Sequence, residues 1–216
     1  MPVPPSPPRR LVVNPLKPEP SALEAAAYAI LAGGLVGLPT ETFYALAADG
    51  LSWSAVSRVL EVKGRDTTKP VGLLASDIDM VQMVAKRIPD RARVLMATFW
   101  PGPLNLVLPG KDSLPPGVLG IRKGVSIRVP DSVVAREVIR RVGGPVTATS
   151  ANLYREKPSR TAEEVLEALG DHLETVVDIG PTAGGLPSTM VDVRGKRPIL
   201  LREGAVPWEE VIACYR

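Results

Sequence analysis

Short apolar runs alternate with amphipathic segments along most of the chain, and this alternation restricts the possible folds more than any other feature. The runs are rich in valine, leucine and isoleucine, and they are about four to five residues long, as buried strands are. The segments between several of them repeat apolar residues at helical spacing. Some runs are separated by a helix and others only by a turn. The pattern therefore predicts an α/β (α+β) fold, with one mixed sheet covered by helices.

The predicted elements are about eight strands and about seven helices. The predicted strands are Leu35–Leu38, Val71–Ala75, Leu104–Leu108, Val125–Val129, Val146–Thr149, Thr175–Ile179, Thr189–Val193 and Ile199–Leu201. Two helices begin with the pattern of a capping box, Ser21 with Glu24 and Thr161 with Glu164. Residues 1–20 are rich in proline and have no apolar region like that of a signal peptide, so we expect an extended arm followed by one folded domain over residues 21–216.

The composition excludes several kinds of functional site. The 216 residues include one cysteine, Cys214, and one histidine, His172. An internal disulfide and a cysteine metal cluster are therefore excluded, and a histidine metal site or a Ser-His-Asp triad is disfavoured. Neither a P-loop nor a Rossmann fingerprint occurs in the sequence. No apolar run reaches the roughly 18 residues that a membrane-spanning helix needs, so we expect no contact with a membrane.

Polar and basic side chains follow the ends of several predicted strands. Examples are Thr40-Glu41-Thr42 after the first strand and Thr149-Ser150-Ala151-Asn152 after the fifth. The net charge is only +3, so the clustering of arginines and lysines is more informative than their number. Guanidinium, hydroxyl and amide groups at one cleft match the recognition of phosphate. No residue stands out as a general base, so we expect positioning and charge stabilisation to dominate the chemistry.

Seven motifs in one order resemble the YrdC-like family of threonylcarbamoyl-AMP synthases. They are PTETFYAL, KGR…KP, FWPGPLNLVL, SIRVP, TSAN, PSTMVD and LREGA, and they extend from about Gly34 to Val206. The resemblance implies a twisted mixed sheet flanked by helices, with a large, positively charged concave cleft. Because the chain ends soon after LREGA, it resembles the short, single-domain members of the family.

The resemblance also implies a nucleotidyltransferase reaction. Threonine, bicarbonate (or CO2) and ATP, with Mg²⁺ expected alongside, would give threonylcarbamoyl-AMP and pyrophosphate. A partner transferase complex would then move the threonylcarbamoyl group to adenosine 37 of tRNA. The implied compartment is the cytoplasm, and a weak direct contact with tRNA is part of the expectation.

The resemblance assigns a role to each residue that matches a motif position of the family. Lys63 and Arg65 are the expected catalytic pair, which neutralises the phosphates of ATP. The expected threonine ligands are Thr42, Tyr44, Arg128, Ala148 and Ser188. The expected ATP ligands are Lys63, Arg65, Lys69, Ser150, Asn152, Ser159 and Arg202. No side chain is expected to ligate a metal ion.

Three features depart from the pattern of the family, and two other functions remain open. Ala45 stands where glycine is usual, Leu74 stands where some members have histidine, and a charged loop follows Asn152. One alternative is a related carbamoyl-adenylate-forming activity, although those domains usually lie in longer, cysteine-rich chains. The other is a non-catalytic RNA-binding module, although aromatic residues that would stack on bases make up only 4% of the chain.

Overall fold

The computed structural model describes residues 7–65, 67–153 and 156–214. The predicted features at Met1–Ser6, Tyr154, Arg155 and Tyr215 lie outside these ranges. The strands are β1 (Arg9–Val12), β2 (Val36–Pro39), β3 (Tyr44–Ala47), β4 (Gly72–Leu74), β5 (Leu104–Pro109), β6 (Gly124–Arg128), β7 (Val146–Ser150), β8 (Thr175–Asp178), β9 (Thr189–Asp192) and β10 (Ile199–Arg202). The helices are α1 (Pro20–Leu31), α2 (Trp53–Val62), α3 (Ile78–Val81), α4 (Asp90–Phe99), α5 (Val133–Val142), α6 (Ala162–Leu169) and α7 (Trp208–Cys214).

All ten strands join one mixed sheet, in the order β1-β8-β2-β3-β7-β4-β6-β5-β9-β10. Neighbouring strands are parallel in β1–β8, β8–β2, β4–β6 and β5–β9, and antiparallel in the other five pairs. Helices lie on both faces, which confirms the predicted fold class. No described helix is long and apolar enough to cross a lipid bilayer.

Different helices cover the two faces of the sheet. On one face, α2, α4, α6 and α7 pack on the larger core, which includes Leu46, Leu73 and Ile127. On the other face, α1 and α5 pack on a smaller core that includes Val36 and Leu38. Helices α1 and α5 contact each other, and they meet the sheet at β1, β8 and β2. Further along this second face, between β3 and β10, the sheet forms the floor of a cavity.

Two strands were not predicted from the sequence. β3 follows β2 as the second strand of a hairpin, with Val36 paired to Ala47 and Pro39 paired to Tyr44. β1 lies within the predicted arm and pairs in parallel with β8 at the edge of the sheet. Its Arg10 side chain forms an ion pair with Asp178 at 2.6 Å. Part of residues 1–20 thus belongs to the sheet, and the division of the chain at residue 20 stays a prediction.

One of the two predicted capping boxes forms in part, with its glutamate bonded to the residue before the cap, and the other is wrong. Thr161 caps α6, and its hydroxyl accepts a hydrogen bond from Glu164 N at 3.2 Å. The Glu164 carboxylate reaches back to Arg160 N at 2.5 Å. Helix α1, in contrast, begins at Pro20, so Ser21 lies inside it and does not cap it. Proline suits the first helical position because its ring presets φ and it has no N–H group that would need a partner.

Candidate functional site

The turn between β2 and β3 forms one wall of the cavity. Thr40 Oγ1 donates a hydrogen bond to Phe43 O at 2.7 Å and lies 3.2 Å from Thr42 Oγ1. These bonds close the hairpin and bury both hydroxyls. The Thr42 carbonyl accepts a hydrogen bond from Gly184 N at 2.9 Å, so the wall is also fixed to the segment that follows β8.

Side chains on one face of seven neighbouring strands form the cavity floor. Successive residues of a strand point to opposite faces, so paired residues on adjacent strands share a face. The register pairs Ala45 with Ser150, Gly72 with Ala148, and Met190 with both Asn105 and Arg202. It also places Arg128 opposite Asn105, because their neighbours Ile127 and Leu106 are paired. From β3 to β10, the floor contains Ala45, Ser150, Ala148, Gly72, Arg128, Asn105, Met190 and Arg202.

The cavity encloses about 220 Å³, and the charged side chains among its described lining residues are all arginines. They are Arg65, Arg128 and Arg202. The Nε atom of Arg65 is buried and has no hydrogen-bond partner in the described part of the chain. A lining with three guanidinium groups and no carboxylate favours anionic ligands.

Arg128 is held from behind by Glu41. Its side chain is only 7% exposed, and its Nη1 atom forms an ion pair with Glu41 Oε1. The other carboxylate oxygen of Glu41 accepts a hydrogen bond from Asp131 N at 3.1 Å. Burial lowers the pKa of the Arg128 guanidinium, and the charge of Glu41 opposes that shift. Glu41 therefore fixes the orientation of the most deeply buried cation of the cavity.

Arg202 is attached to the segment that precedes β9. Its Nη2 and Nε atoms donate to the carbonyl oxygen of Ser188 at 2.7 and 3.1 Å. The register of β9 and β10 shifts between Leu200 and Arg202, and this irregularity lies directly before the arginine. Arg202 thereby positions Ser188, whose own side chain lines the cavity.

Lys63 lies beneath the cavity and does not line it. The residue is 2% exposed, and its ammonium donates to Ser150 O at 2.8 Å and to Asn152 Oδ1 at 3.1 Å. It also contacts Asn152 O. Burial, with a smaller contribution from the positive charge of Arg65, lowers the pKa of Lys63 to about 8. The lysine thus holds together the turn that follows β7, and that turn carries Ser150 into the cavity.

The side chain of Tyr44 is directed away from the cavity floor. It is fully buried in the larger core, on the face opposite to that of Ala45. Its hydroxyl donates to Gly180 O at 2.9 Å and accepts from Ile179 N at 3.3 Å. Burial raises the pKa of this hydroxyl to about 12. Tyr44 therefore braces the end of β8 against β3, and it does not present its hydroxyl to a ligand in the cavity.

Eight of the predicted site residues line this one cavity. They are Thr42, Tyr44, Arg65, Arg128, Ala148, Ser150, Ser188 and Arg202, although the hydroxyl of Tyr44 lies in the larger core and not in the cavity. The predicted residues Lys63, Lys69, Asn152 and Ser159 are not among its lining residues.

Asn152 and Ser159 line a neighbouring pocket of about 660 Å³, which shares Pro158 with the cavity. Ser159 Oγ donates to Ala151 O at 2.5 Å, and Lys69 is exposed. Of the residues that depart from the pattern of the family, Ala45 lies in the cavity floor and Leu74 is packed in the smaller core. The predicted contacts of these residues with ligands stay predictions.

The sequence did not single out two residues of the site, Asn105 and Glu41. Asn105 is 7% exposed and lies in the floor beside Arg128. A signal for it exists, because it is the one polar residue in the apolar run Leu104–Leu108. Glu41 was visible as a carboxylate at a strand end, but its pairing with Arg128 joins positions 87 residues apart.

Carboxylate and imidazole groups that could hold a metal ion do not gather in the described ranges. Within residues 7–65, 67–153 and 156–214, no three His, Cys, Asp or Glu side chains form such a group. The described cavity lining contributes hydroxyl, amide and guanidinium groups instead. A Mg²⁺ ion in this cavity would therefore take its strongest ligands from a bound triphosphate and from water.

Sequence comparisons find relatives that match most of the chain. The model of the Sua5, YciO and YrdC proteins, described as telomere recombination, matches residues 28–204. The threonylcarbamoyl-AMP synthase of Pyrococcus abyssi is 36% identical over 189 residues, which cover 88% of this chain and 56% of that protein. A putative threonylcarbamoyl-AMP synthase of Mycobacterium tuberculosis H37Rv is 38% identical over 187 residues, 87% of this chain and 86% of that protein.

Solved structures show the same architecture. Crystalline P. abyssi Sua5 complexed with L-threonine has a TM-score of 0.90 and 35% identity, over 95% of this chain and 60% of that one. E. coli YciO, at 22% identity, shares the fold with a TM-score of 0.82. This chain thus spans little more than half the length of its P. abyssi relative. On the match over residues 28–204 and the identities above 30%, the chain belongs to the Sua5/YciO/YrdC family.

Proposed function

We propose that this chain is an L-threonylcarbamoyladenylate synthase. In that reaction threonine, bicarbonate and ATP give threonylcarbamoyl-AMP, pyrophosphate and water. The observation that carries the proposal is that one cavity is lined by Arg128, Ser188, Arg65 and Ser150, whose side chains suit anions. The names of the relatives and the threonine complex of P. abyssi Sua5 support the same activity.

Arg128 and Ser188 would bind the amino acid. A guanidinium donates two parallel hydrogen bonds to a carboxylate, and the arginine is already oriented by Glu41. Ser188 is held nearby through the bonds that Arg202 makes to its carbonyl. Ala148 in the floor and Thr42 in the wall would bound the same end of the cavity. This arrangement fits a small amino acid with a free carboxylate.

Arg65 and Ser150 would bind the phosphates of ATP. The Nε atom of Arg65 is buried and has no partner in the described part of the chain, so a bound anion would supply the hydrogen-bond acceptor that it lacks. Lys69, Asn152 and Ser159 stay predicted nucleotide contacts, of which the last two line the neighbouring pocket. Lys63 would act as a positioning residue, because its contacts hold the turn that carries Ser150. Mg²⁺, when bound with ATP, would neutralise charge on the phosphate oxygens.

The lining suits chemistry that depends on orientation and charge. The threonine amine takes up CO2 from bicarbonate as a carbamate, and a carbamate oxygen attacks the α-phosphorus while pyrophosphate leaves. No described lining residue is a carboxylate or a histidine. The contribution of the protein would be to align the two substrates and to stabilise the developing charge with Arg65.

The two alternatives have less support. The HypF structures are 18–20% identical to this chain, a likeness that shows the fold alone. Relatives named threonylcarbamoyl-AMP synthase reach 37% identity. A role limited to RNA binding would leave a cavity that encloses about 220 Å³ without a ligand. As part of the proposal, the product passes to a tRNA threonylcarbamoyl transferase complex in the cytoplasm, with at most weak direct contact to tRNA.

Pyrophosphate release by the purified chain tests the proposal. The assay contains ATP, Mg²⁺, bicarbonate and threonine, and parallel reactions omit threonine or replace it with carbamoyl phosphate. Threonine-dependent release is the expected result. Turnover with carbamoyl phosphate alone would favour the carbamoyl-adenylate activity, and tight salt-sensitive binding of tRNA without turnover would favour the RNA-binding function.

A further inference from the structure

Asn105 lies in the floor of the cavity, between Arg128 and Met190. It lies on β5, opposite Arg128 on one side and paired with Met190 on the other. Ser188 precedes Met190 by two residues and Arg202 is paired with Met190, so both lie on the same face as Asn105. A ligand held by Arg128 and Ser188 would therefore have the carboxamide of Asn105 within its immediate surroundings.

The side chain of Asn105 is not bonded to any group in the described part of the chain, and the residue, which is 7% exposed, lines the cavity. Its carboxamide faces the cavity, where it can bond to water or to a ligand. The neighbouring hydroxyls of Thr40 and Thr42 are, in contrast, already bonded to each other and to Phe43 O. The free amide is thus available to a ligand.

Asn105 supplies the one carboxamide among the described lining residues. Guanidinium groups only donate hydrogen bonds, and a hydroxyl donates and accepts through a single oxygen, whereas a carboxamide donates through its nitrogen and accepts through a separate oxygen. Asn105 carries the only side-chain carbonyl among the described lining residues. A carboxylate needs donors, which Arg128 provides. An aliphatic hydroxyl needs an acceptor for its proton and gains from a donor to its oxygen, which is the pair of groups that one carboxamide offers.

We infer that Asn105 is the residue that selects a hydroxyl-bearing amino acid, through hydrogen bonds between its carboxamide and the side-chain hydroxyl of the substrate. The inference rests on the proposed function and adds the basis of its specificity. Threonine and valine have nearly the same shape, so packing alone separates them poorly. A site with a buried polar group rejects the analogue that leaves this group unpaired.

Two variants at this position separate the hydroxyl contact from packing. Asn105→Leu keeps a side chain of similar length without polar groups. We expect threonine affinity to fall about 10- to 100-fold, valine affinity to change little, and the preference for threonine to disappear. Asn105→Asp keeps the acceptor but adds a negative charge beside Arg128. We expect it to weaken both amino acids while keeping the preference for threonine.

Calorimetric titration of wild type and both variants with threonine, valine and a non-hydrolysable ATP analogue gives the result. Unchanged affinity for the ATP analogue shows that a variant is folded. If Asn105→Leu does not meet this criterion, the preference of Asn105→Asp between threonine and valine tests the inference. If Asn105→Leu keeps the wild-type ratio of threonine affinity to valine affinity, or if Asn105→Asp loses the preference for threonine, the inference is overturned while the proposed function stands. Wild-type protein that binds the ATP analogue but neither amino acid would overturn the proposed function together with the inference.

Discussion

Arg128 has a structural and a proposed ligand-binding role, and these can be separated. Its buried ion pair with Glu41 holds the end of β6 against the β2–β3 turn. The remaining guanidinium nitrogens are left for the carboxylate of the amino acid. Removal of one partner from a buried ion pair costs about 3–5 kcal/mol, because the other charge is left uncompensated, whereas replacing both partners costs much less.

Substitution of Arg128 should therefore affect stability and threonine binding independently. We expect Arg128→Met to lower the free energy of unfolding by about 3–5 kcal/mol and to weaken threonine far more than ATP. The double variant Glu41→Gln/Arg128→Met should recover most of the stability without recovering threonine binding. Urea unfolding and calorimetry measure the two quantities. Threonine binding restored in the double variant, or equal losses for threonine and ATP, would contradict the role assigned to Arg128.

The Lys63 ammonium gives the site a dependence on pH. Its pKa in the folded protein is about 8, below the ordinary 10.5, so between these values the unfolded chain binds more protons and stability rises with pH. Catalytic activity, in contrast, should fall as the pH rises. Above pH 8 the lysine loses a donor and its charge, so the turn that carries Ser150 is held less firmly.

We expect kcat/KM for ATP to fall as the pH rises through about 8 in the wild-type protein. The Lys63→Met variant, which has no titrating group there, should have low activity without this decline. A pH profile of pyrophosphate release at saturating threonine measures both. The same decline in Lys63→Met would show that another group is responsible.

Two neighbouring valines at the end of strand β1 differ strongly in burial. Val13, directly after the strand, is 3% exposed and packs in the smaller core, and its N–H donates to Asp178 O at 2.8 Å. Val12 is 73% exposed. The neighbouring valines therefore form a matched pair for testing whether this segment is docked on β8.

We expect Val13→Asp to destabilise the protein by about 2–5 kcal/mol, because it buries a carboxylate without a partner. Val12→Asp should change stability by no more than about 0.5 kcal/mol. Thermal or urea unfolding gives the comparison, and threonine affinity of the folded variants should stay unchanged because β1 is six strands from β6. Similar effects of the two substitutions would contradict the docking of β1.

The elements that the sequence revealed share a physical property. Strands such as β5 and β6 are almost wholly buried, so their apolar residues appear in the sequence as a nearly continuous run in β5 and as an alternation with polar residues in β6. Strand β3 was missed because two of its four residues are alanine, which is uncommon in strands. Recognition of β3 would also have placed Tyr44 and Ala45 on opposite faces, and so would have separated the bracing residue from the cavity residue.

At the scale of the whole molecule, the cavity depends on contacts between distant parts of the chain. Composition and motif order indicated that arginines and hydroxyls belong to one site, and the structure brings eight of the predicted residues to one lining. Their partners were beyond sequence reasoning. Glu41 meets Arg128 across 87 positions, and Lys63 meets the Asn152 side chain across 89. Such pairs follow from strand order, which local patterns do not specify.

Strand order also explains how one face of the sheet forms a core and a cavity. Helices α1 and α5 contact this face mainly at β1, β8 and β2, and the smaller core beneath them also includes Leu74 of β4 and Val146 of β7, while the floor lies on β3, β7, β4, β6, β5, β9 and β10. The substrates would therefore bind largely on side chains that the strands of the sheet present. A preorganised floor of this kind is what a reaction driven by alignment requires.

The most direct test of the central claim is mass spectrometry of the reaction product. Purified chain is incubated with ATP, Mg²⁺, threonine and ¹³C-bicarbonate, and the mixture is quenched and analysed at once. The proposed function predicts a species that contains AMP, threonine and one ¹³C atom, and that is absent when threonine is omitted or when Arg65 is replaced by alanine. Pyrophosphate release without this labelled species, or no product with protein that binds both ATP and threonine, would contradict it.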